Sequence, residues 1–583
     1  MILIFGGTTE GRLAADLCDT SGQPFYYSTR GDHQSVSLRH GVRLSGEMSG
    51  DDIRRFCHDN GVRCIIDAAH PFAIRLHESI ATLHLPVVRL QRCFGERVAD
   101  AVYCRDYEEA MEQMRRAGVR RLLALSGANT ISRLKPYWSE RPTVFRILRR
   151  PESIDIARRQ GLPADSIIFY NDDLHLPTAH DERLLMESVG CDAIITKESG
   201  ESGGFESKVQ AARQLGVKVF VVERPTLPSD WHYVTGRHSL RRAIQRLVPD
   251  FFPLKTGLTT GACATAASKA AALSLLHDAR PEEVSFALPD GEVLTVPVEL
   301  EGRGVASVVK DESDDPDVTK GCRITATVTY GSPEQREAVV FRRGEGVGIV
   351  TLPGLGIEVG EPAINPVPRQ MIISHLSSLT SEPLEVMISV EGGRLLAQKT
   401  FNPKVGVVDG ISIIGTSGIV SPLSHEAFIH SIRRELEVAR AIRATAIGIV
   451  SGKLSEEALR QRYPNLRIIH YGNFVGETLQ QAHQLRFERV IIGIGIGKAV
   501  KLAEGHLDTH SHRVTLNKSF LHRLVSDLDD APRLASVIDS VTMARQLYDQ
   551  MPSIFFDRIV SLCQSHCQKV FPDGDVTVEL IRQ

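Results

Sequence analysis

Short apolar runs recur through the first 248 residues, several of them ending in Gly, Ser or His before a helix-like stretch. Ile2–Phe5 ends at Gly6-Gly7 and precedes a helical pattern around Arg12–Cys18. Pro24–Ser28, Cys64–Asp67, Leu122–Leu125, Ala193–Thr196 and Val217–Val222 read as further strands. Brief apolar runs alternating with helical periodicity predict an α/β fold with a mostly parallel sheet. Pro249-Asp-Phe-Phe-Pro253 interrupts the pattern, which places a linker at 249–254 between a first domain, 1–248, and the remainder of the chain. Residues 257–271 are rich in small side chains and open a helix near Thr260. Residues 284–401 read as β-rich, punctuated by Pro289-Asp-Gly291, Tyr330-Gly-Ser-Pro333 and Val390-Glu-Gly-Gly393. From Val405 the alternation returns, with strands at Gly406–Val408, Ala446–Val450, Arg467–Tyr471 and Arg489–Ile492 and a helix around Ser424–Arg440. The expected division of the second part is 255–404, α+β, and 405–583, α/β. No internal repeat or low-complexity tract is present.

Length and composition narrow the classes. A single core rarely exceeds about 300 residues, so 583 residues imply two or more domains. Apolar residues at 42% and charged residues at 24% exclude a disordered chain. No apolar run nears the roughly 20 residues of a membrane helix. Met1–Gly7 reads as a strand and not as a signal peptide. Ten scattered cysteines contain no CxxC, which argues against a zinc ribbon or a disulfide framework and for a cytoplasmic protein.

Charge sharpens this. The 68 Lys+Arg and 71 Asp+Glu give a net −3, which suits neither bulk nucleic-acid binding nor a membrane surface. Residues 1–250 carry 34 cations against 32 anions, and 30 of those cations are Arg. Guanidinium forks suit carboxylates and phosphates, while a genome bias toward Arg accounts for the same count.

Several segments carry candidate chemistry. Gly6-Gly-Thr8-Thr9-Glu10-Gly11-Arg12 lies between a strand and a helix, where backbone N–H groups and the helix dipole hold a dinucleotide phosphate; it departs from GxGxxG, and a plain strand-to-helix turn is the alternative. Arg30, after the second strand, sits where a Rossmann-like fold reads the adenosine ribose, and a cation there favours NADP; a surface Arg is the alternative. His70, in Asp67-Ala-Ala-His70-Pro71-Phe72, follows another strand and is a candidate proton donor, against a structural His-Pro turn. Lys255–Ala267 is either an anion-binding or a tightly packed helix start. The loop Lys310–Thr319 is acidic without EF-hand spacing, so a solvated or substrate-facing loop is favoured over a metal site. Gly344–Gly348 and Asn365–Arg369 are turn-rich without legible chemistry. Gly497-Lys498 lacks the rest of a P-loop. His506, Asp508, His510 and His512 have metal-ligand types, but their alternation need not bring them together; a turn beside a cofactor loop is preferred, and no metal is expected.

Gly6–Arg12, Asp67–Ala73, Ile195-Thr-Lys197-Glu-Ser199-Gly200 with Gly203-Gly204 and Lys208, and Val222-Glu-Arg224-Pro225 together resemble the precorrin-6A reductase family over roughly 1–247. The resemblance implies two Rossmann-like halves, NADPH as cofactor and reduction of a macrocyclic double bond in a cleft between them. It makes Gly6, Gly7, Thr8, Thr9, Glu10 and Arg30 cofactor contacts, and Lys197, Ser199 and Lys208 contacts to the substrate. Phe169–Asp173 departs from the family's Gly-Pro-Phe segment.

Lys255–Ala267, the acidic loop, Gly415-Thr416-Ser417-Gly418-Ile-Val420, Tyr471-Gly-Asn473-Phe-Val-Gly476 and Lys498-Ala-Val-Lys501-Leu-Ala503 resemble the cobalt-precorrin-5B C1-methyltransferase family over about 254–583. The implied donor is S-adenosylmethionine and the acceptor a cobalt-bearing tetrapyrrole. Gly415–Gly418 and Gly493, Gly495 and Gly497, taken to end strands, are the expected donor pocket. Lys255, Thr259, Thr260, Lys310 and Arg369 are expected at the substrate, with Asp311 as a catalytic group and Asp314 and Asp315 beside it. Ser313 replaces an expected Gly, and Gly493–Gly497 replaces Gly-His-x-Gly. The combined expectation is a bifunctional corrinoid enzyme with a small-molecule substrate, which could also form a homo-oligomer. The alternatives are a related enzyme of metal-free precorrins and a nucleotide-sensing RNA-binding protein.

Overall fold

The computed structural model describes residues 1–31, 36–92, 97–170, 177–200, 204–422, 425–510 and 516–582. Gly203, His512 and the 171–173 part of the Phe169–Asp173 departure lie outside the described residues. The chain divides into two units: Met1–Pro253 with Glu292–Leu294, and Leu254–Gly291 with Thr295–Gln583. Among the described residues no helix is long and apolar enough to cross a membrane.

Unit one holds two six-stranded sheets. Its strands are β1 (Ile2–Phe5), β2 (Phe25–Thr29), β3 (Gly41–Ser45), β4 (Cys64–Asp67), β5 (Val87–Gln91), β6 (Ala101–Cys104), β7 (Leu122–Ala124), β8 (Thr143–Leu148), β9 (Ile167–Tyr170), β10 (Ala193–Lys197), β11 (Lys218–Val222) and β12 (His232–Thr235). The first sheet runs β12-β5-β4-β1-β2-β3 and the second β6-β11-β10-β7-β8-β9, with every pairing parallel. β1, β4 and β7 are buried at every position because helices cover both faces, which explains their continuous apolar runs. The chain leaves the first sheet after β5, completes the second, and returns with β12 to the first sheet's edge.

In both sheets the strand order reverses direction at one point, between β1 and β4 in the first and between β7 and β10 in the second. Open α/β sheets bind ligands outside the carboxyl ends of the strands flanking such a point. Gly6 and the His70 loop follow β1 and β4; Ser126 and Glu198 follow β7 and β10.

Unit two begins with the helix Thr260–His277. It is buried over almost its whole length by Gly, Ala, Cys, Ser and Thr side chains, whose small size lets it lie against Val305–Val309 and Arg323–Tyr330. Those strands belong to a five-stranded sheet, antiparallel except where Val339–Arg343 runs parallel to Leu384–Val390. A second, parallel sheet follows, in the order Arg467–His470, Ala446–Val450, Arg489–Gly495, Asp575–Ile581.

One expected boundary changes. Residues 405–420 do not start the second α/β layer. Val407–Val408 pairs antiparallel with Ile349–Val350, Ile411 and Ile413 bridge Val347 and Ile364, and Ile419–Val420 pairs with Gly257–Leu258. These pairings attach the segment to the part expected to end at 404. Short apolar runs look the same whichever sheet receives them.

Candidate functional site

A cavity of about 1500 Å³ in unit one is lined by residues of the first sheet and its loops and by segments that follow β7 and β8 of the second, among them Gly6, Gly7, Arg30, His70, Arg92 and Arg133. The glycine loop at one side of it rests on close packing. A Cβ on Gly6 would lie 2.3 Å from the Tyr27 hydroxyl, and one on Gly11 would lie 2.7 Å from Gly6 Cα. Without those atoms, the loop crosses directly over the start of the helix Thr9–Asp19. Gly7 has φ +90° and open space where its Cβ would be, and its N–H donates to Tyr27 Oη at 3.2 Å. Thr9 lines the cavity. Thr8 lines it too, but its hydroxyl accepts from Gly11 N–H at 3.0 Å and donates to Ala68 O at 2.7 Å, so it shapes the loop. Arg30 follows β2 and pairs at 3.1 Å with Glu47, both side chains well exposed. Such an exposed pair contributes little to stability.

Glu10 differs from the expectation. It is absent from the cavity lining and pairs with Arg92 at 3.1 Å, while Arg92 Nη1 donates to Ser199 O at 3.0 Å. A first-turn carboxylate facing a pyrophosphate would be repelled, and here it is turned to a cation instead. Glu10, Arg92 and the Ser199 carbonyl thereby link the two halves of unit one.

His70 lines the cavity, and its Nδ1 accepts the Phe72 N–H at 3.2 Å. Burial, with Arg92 and Lys197 nearby, lowers its pKa to about 3. With Nδ1 accepting, a neutral ring carries its proton on Nε2, and the lowered pKa disfavours the charged imidazolium that an acidic proton donor would be. Lys197 ends β10 with Nζ 5.2 Å from the centre of the Phe72 ring, and burial followed by the Arg133 charge lowers it to about 8. Lys208 is buried in the helix Phe205–Leu215, outside the cavity lining. Burial and then Arg146 lower it to about 8, while Glu182 opposes them.

Sequence reasoning gives Asp67 no role of its own. Parallel register sets it opposite Arg89, Nη1 to Oδ2 at 2.7 Å, with both side chains buried. Asp67 Oδ1 accepts Ala69 N–H at 3.2 Å, so the pair fixes the loop that carries His70. His77 Nε2 lies 3.4 Å from Asp67 Oδ2, out of hydrogen-bond alignment. A buried acid ending a strand within a motif is the available signal; its partner can be found only from the register.

In unit two, several expected substrate contacts are committed elsewhere. Lys310 is buried and paired with Asp317 at 2.9 Å. Arg369 donates to the carbonyls of Ile364 and Pro362, pairs with Glu361 at 3.3 Å, and stacks over Phe341. Thr259 caps its helix by accepting from Ala262 N–H, and Thr260 Oγ1 bonds with the Ile414 backbone. Asp311 Oδ1 accepts Leu258 N–H and Asp314 Oδ2 accepts Lys255 N–H, each at 2.6 Å. The acidic loop is thus clamped to the backbone before the helix, and Asp311 acts there as a positioning group. Lys255 remains exposed.

Burial works against the Asp317 carboxylate, yet the Lys310 ammonium beside it and hydrogen bonds from Thr319 hold it below its ordinary 3.8. The pair therefore stabilises the fold above the unfolded value and is lost as the pH falls through the lower folded one. Asp317→Asn is expected to destabilise the chain by about 3 kcal/mol at pH 6. That difference should shrink in urea unfolding below about pH 4; a constant difference would mean the pair contributes nothing.

The glycines of the expected donor pocket do not act alike. Gly415–Gly418 precedes a strand instead of ending one, and a Cβ on Gly415 would lie 2.2 Å from Thr259 Oγ1. Thr416 and Ser417 are exposed at that turn, with the Ser417 hydroxyl bonded to the Ile419 backbone. Gly493 is buried, and its Cβ would be 3.1 Å from Val450 Cγ1, so it serves packing. Gly495 caps the helix Ile496–Ala503 and Gly497 is exposed in its first turn. They sit at the carboxyl end of Arg489–Gly495, beside Ser451-Gly452 after Ala446–Val450, where this sheet's order reverses. Lys498 Nζ donates to Gly472 O at 2.6 Å, tying the third loop to that edge. Asp508 and His510 are joined by a backbone N–H to Oδ1 bond, and His506 pairs with Glu504.

Both units thus contain a parallel α/β sheet whose strand order reverses at a switch point, and in open sheets of this kind ligands bind outside the carboxyl ends of the flanking strands. Residues 1–247 match the family model described as precorrin-6x reductase CbiJ/CobK, and residues 249–422 match that of CbiD. The cobalt-precorrin-5B C(1)-methyltransferase of Prosthecochloris aestuarii is 42% identical over 345 residues, covering 56% of this chain and 94% of that protein. The enzyme of the same name from Pseudomonas aeruginosa is 41% identical over 341 residues, covering 57% and 88%. Among solved structures, the cobalamin biosynthesis protein cbiD of Archaeoglobus fulgidus is 30% identical over 45% of this chain and 83% of its own, at a TM-score of 0.26. CobK precorrin-6A reductase is 21% identical over 42% and 97%, at 0.35. The chain belongs to the cobalt-precorrin-5B C(1)-methyltransferase family, and its residues 1–247 match the precorrin-6x reductase model. Both matches are to families of cobalamin biosynthesis.

Proposed function

We propose that unit two methylates C1 of cobalt-precorrin-5B with S-adenosylmethionine to give cobalt-precorrin-6A, and that unit one reduces this product with NADPH to cobalt-precorrin-6B. The observation that carries the reductase reading is the lining of one cavity by the Gly6-Gly7 loop, Arg30 and His70. That corner fits a dinucleotide: Tyr27 packs against a Cβ-free loop, the helix Thr9–Asp19 begins beneath it, and Arg30 is available for a 2′-phosphate.

NADPH supplies a hydride when bound. The chain's own residues do the rest. Gly6 and Gly7 bring backbone close to the pyrophosphate, and Lys197 places positive charge near the substrate's carboxylate arms. A neutral His70 has its Nε2 proton to offer as a hydrogen bond and no acidic proton, which leaves water to protonate the carbon adjacent to the hydride acceptor.

In unit two, Gly495 and Gly497, with Ser451-Gly452, stand at the strand-end switch point, a placement compatible with S-adenosylmethionine, whose methyl group is already activated. The protein's task there is alignment and exclusion of water. Incubation with cobalt-precorrin-5B and S-adenosylmethionine should add one methyl group by mass, and later NADPH should add two hydrogens. No methyl gain, or a hydrogen gain without NADPH, defeats the reading.

A further inference from the structure

The parallel sheet of unit two has an amino edge as well as a carboxyl edge. At the amino ends of Ala446–Val450 and Arg467–His470 lies a cavity of about 890 Å³, walled by Lys404, Arg443, Arg460, Arg462 and Arg467. None of the residues lining it is acidic.

Part of that charge has an ordinary explanation. Arg460 and Arg462 occupy the last turn of the helix Lys453–Arg462, where cations answer the terminal carbonyls. Arg460 and Lys404 share Glu456 at 2.8 and 3.5 Å, and Arg462 pairs with Glu579. Glu435 is buried near Lys404 and Arg467; burial pushes it up to about 7 against their pull, so it does not fully cancel them.

Arg443 and Arg467 are different. Arg443 stands just beyond the helix His425–Ala441 at φ 64°, in a turn closed by Ala444 N–H to Ala439 O at 3.0 Å. Glycine occupies such a position without strain, yet the residue here is a long cation. Its side chain forms no ion pair among the described residues. Among the described residues Arg467 Nη2 is buried without a hydrogen-bond partner, a donor left unsatisfied although the Glu435 carboxyl is near. Ile442, Pro464 and Leu466 supply apolar wall between the cations.

We infer that this cavity is a second ligand site, for a multivalent oxyanion bearing phosphoryl or carboxylate groups, at the end of the sheet opposite the proposed methyl-donor edge. Guanidinium forks pair bidentately with either group, and the volume exceeds that of a single phosphate. The inference stands whichever reaction unit two performs.

Calorimetric titration of the full chain at low salt with pyrophosphate and, separately, citrate tests it. Saturable binding of either is expected, and the tighter of the two identifies phosphoryl or carboxylate as the natural chemistry. Arg443→Gly removes the cation and relieves the backbone, so it should keep the thermal midpoint while weakening binding at least about tenfold. Lys453→Glu, a charge change at the other end of the neighbouring helix, should leave the affinity unchanged. No saturation below about 10 mM for either anion overturns the inference. So does equal affinity in Arg443→Gly, or an equal loss in Lys453→Glu, which would reveal diffuse charge attraction.

Discussion

Gly7→Asp is expected to lose NADPH-dependent reduction by at least about 100-fold while methyl transfer continues at the parent rate. Two effects add. Gly7 sits at φ +90°, a backbone state that L side chains rarely adopt and that costs them about 1–2 kcal/mol. The new carboxylate would also stand in the loop proposed to receive a pyrophosphate, where like charges oppose binding. Nothing lies within 4 Å of the point a Cβ would occupy, so steric collision contributes nothing. Gly7→Ala isolates the backbone term and should lose about tenfold. NADPH binding followed by fluorescence, beside methyl transfer followed by mass, distinguishes the outcomes. Loss of both activities would mean the units do not function separately, and unchanged NADPH affinity would remove the loop from the cofactor site.

The largest stability effect is expected at Asp67. Asp67→Ala would strand the Arg89 guanidinium in the interior, and breaking a buried pair from one side costs about 3–5 kcal/mol. Removing both charges is far milder, because an apolar pair of similar size avoids the desolvation of two ions. Asp67→Ala with Arg89→Met should therefore recover more than half of the loss. Trp231, edge-on to His77 beside this cluster, reports unfolding locally once Trp138 is replaced by Phe. If the single substitution costs under about 1 kcal/mol, water or a shifted loop is satisfying Arg89 and the pair does not anchor the His70 segment.

The Gly6-Gly7 turn and the parallel sheets of unit one are legible in the sequence because their causes are local, whereas Gly415–Gly418, expected to end a strand, precedes one. An apolar run closed by Gly6-Gly7 before a helix is a strand, a turn and a helix start in whatever sheet it joins. The strand after residue 405 is misplaced by sequence reasoning because its partner, Ile349–Val350, lies more than one element away along the chain. Asp67 and Arg89 illustrate the same limit: each is legible alone, but only parallel register makes them a pair. Lys310 and Arg369 mislead for a different reason. Long cations are usually exposed, so they read as groups available to an acidic ligand. Here Asp317 and a set of backbone carbonyls have already claimed them. Thr259 and Thr260 are sound signals of a special helix start, although their hydroxyls cap and brace that start instead of facing outward.

The late return of His232–Thr235 to the edge of the first sheet has a consequence for biogenesis. A nascent chain that has emerged only through Gln91 lacks the strand that completes its own sheet, and must wait while the intervening half is synthesised. Distant pairing of this kind slows folding and leaves an edge open to unwanted association in the interval. The two halves of the reductase-like unit are thus interlocked during synthesis, and a fragment cut after the first five strands would be an incomplete sheet, unsuited to transfer into another protein.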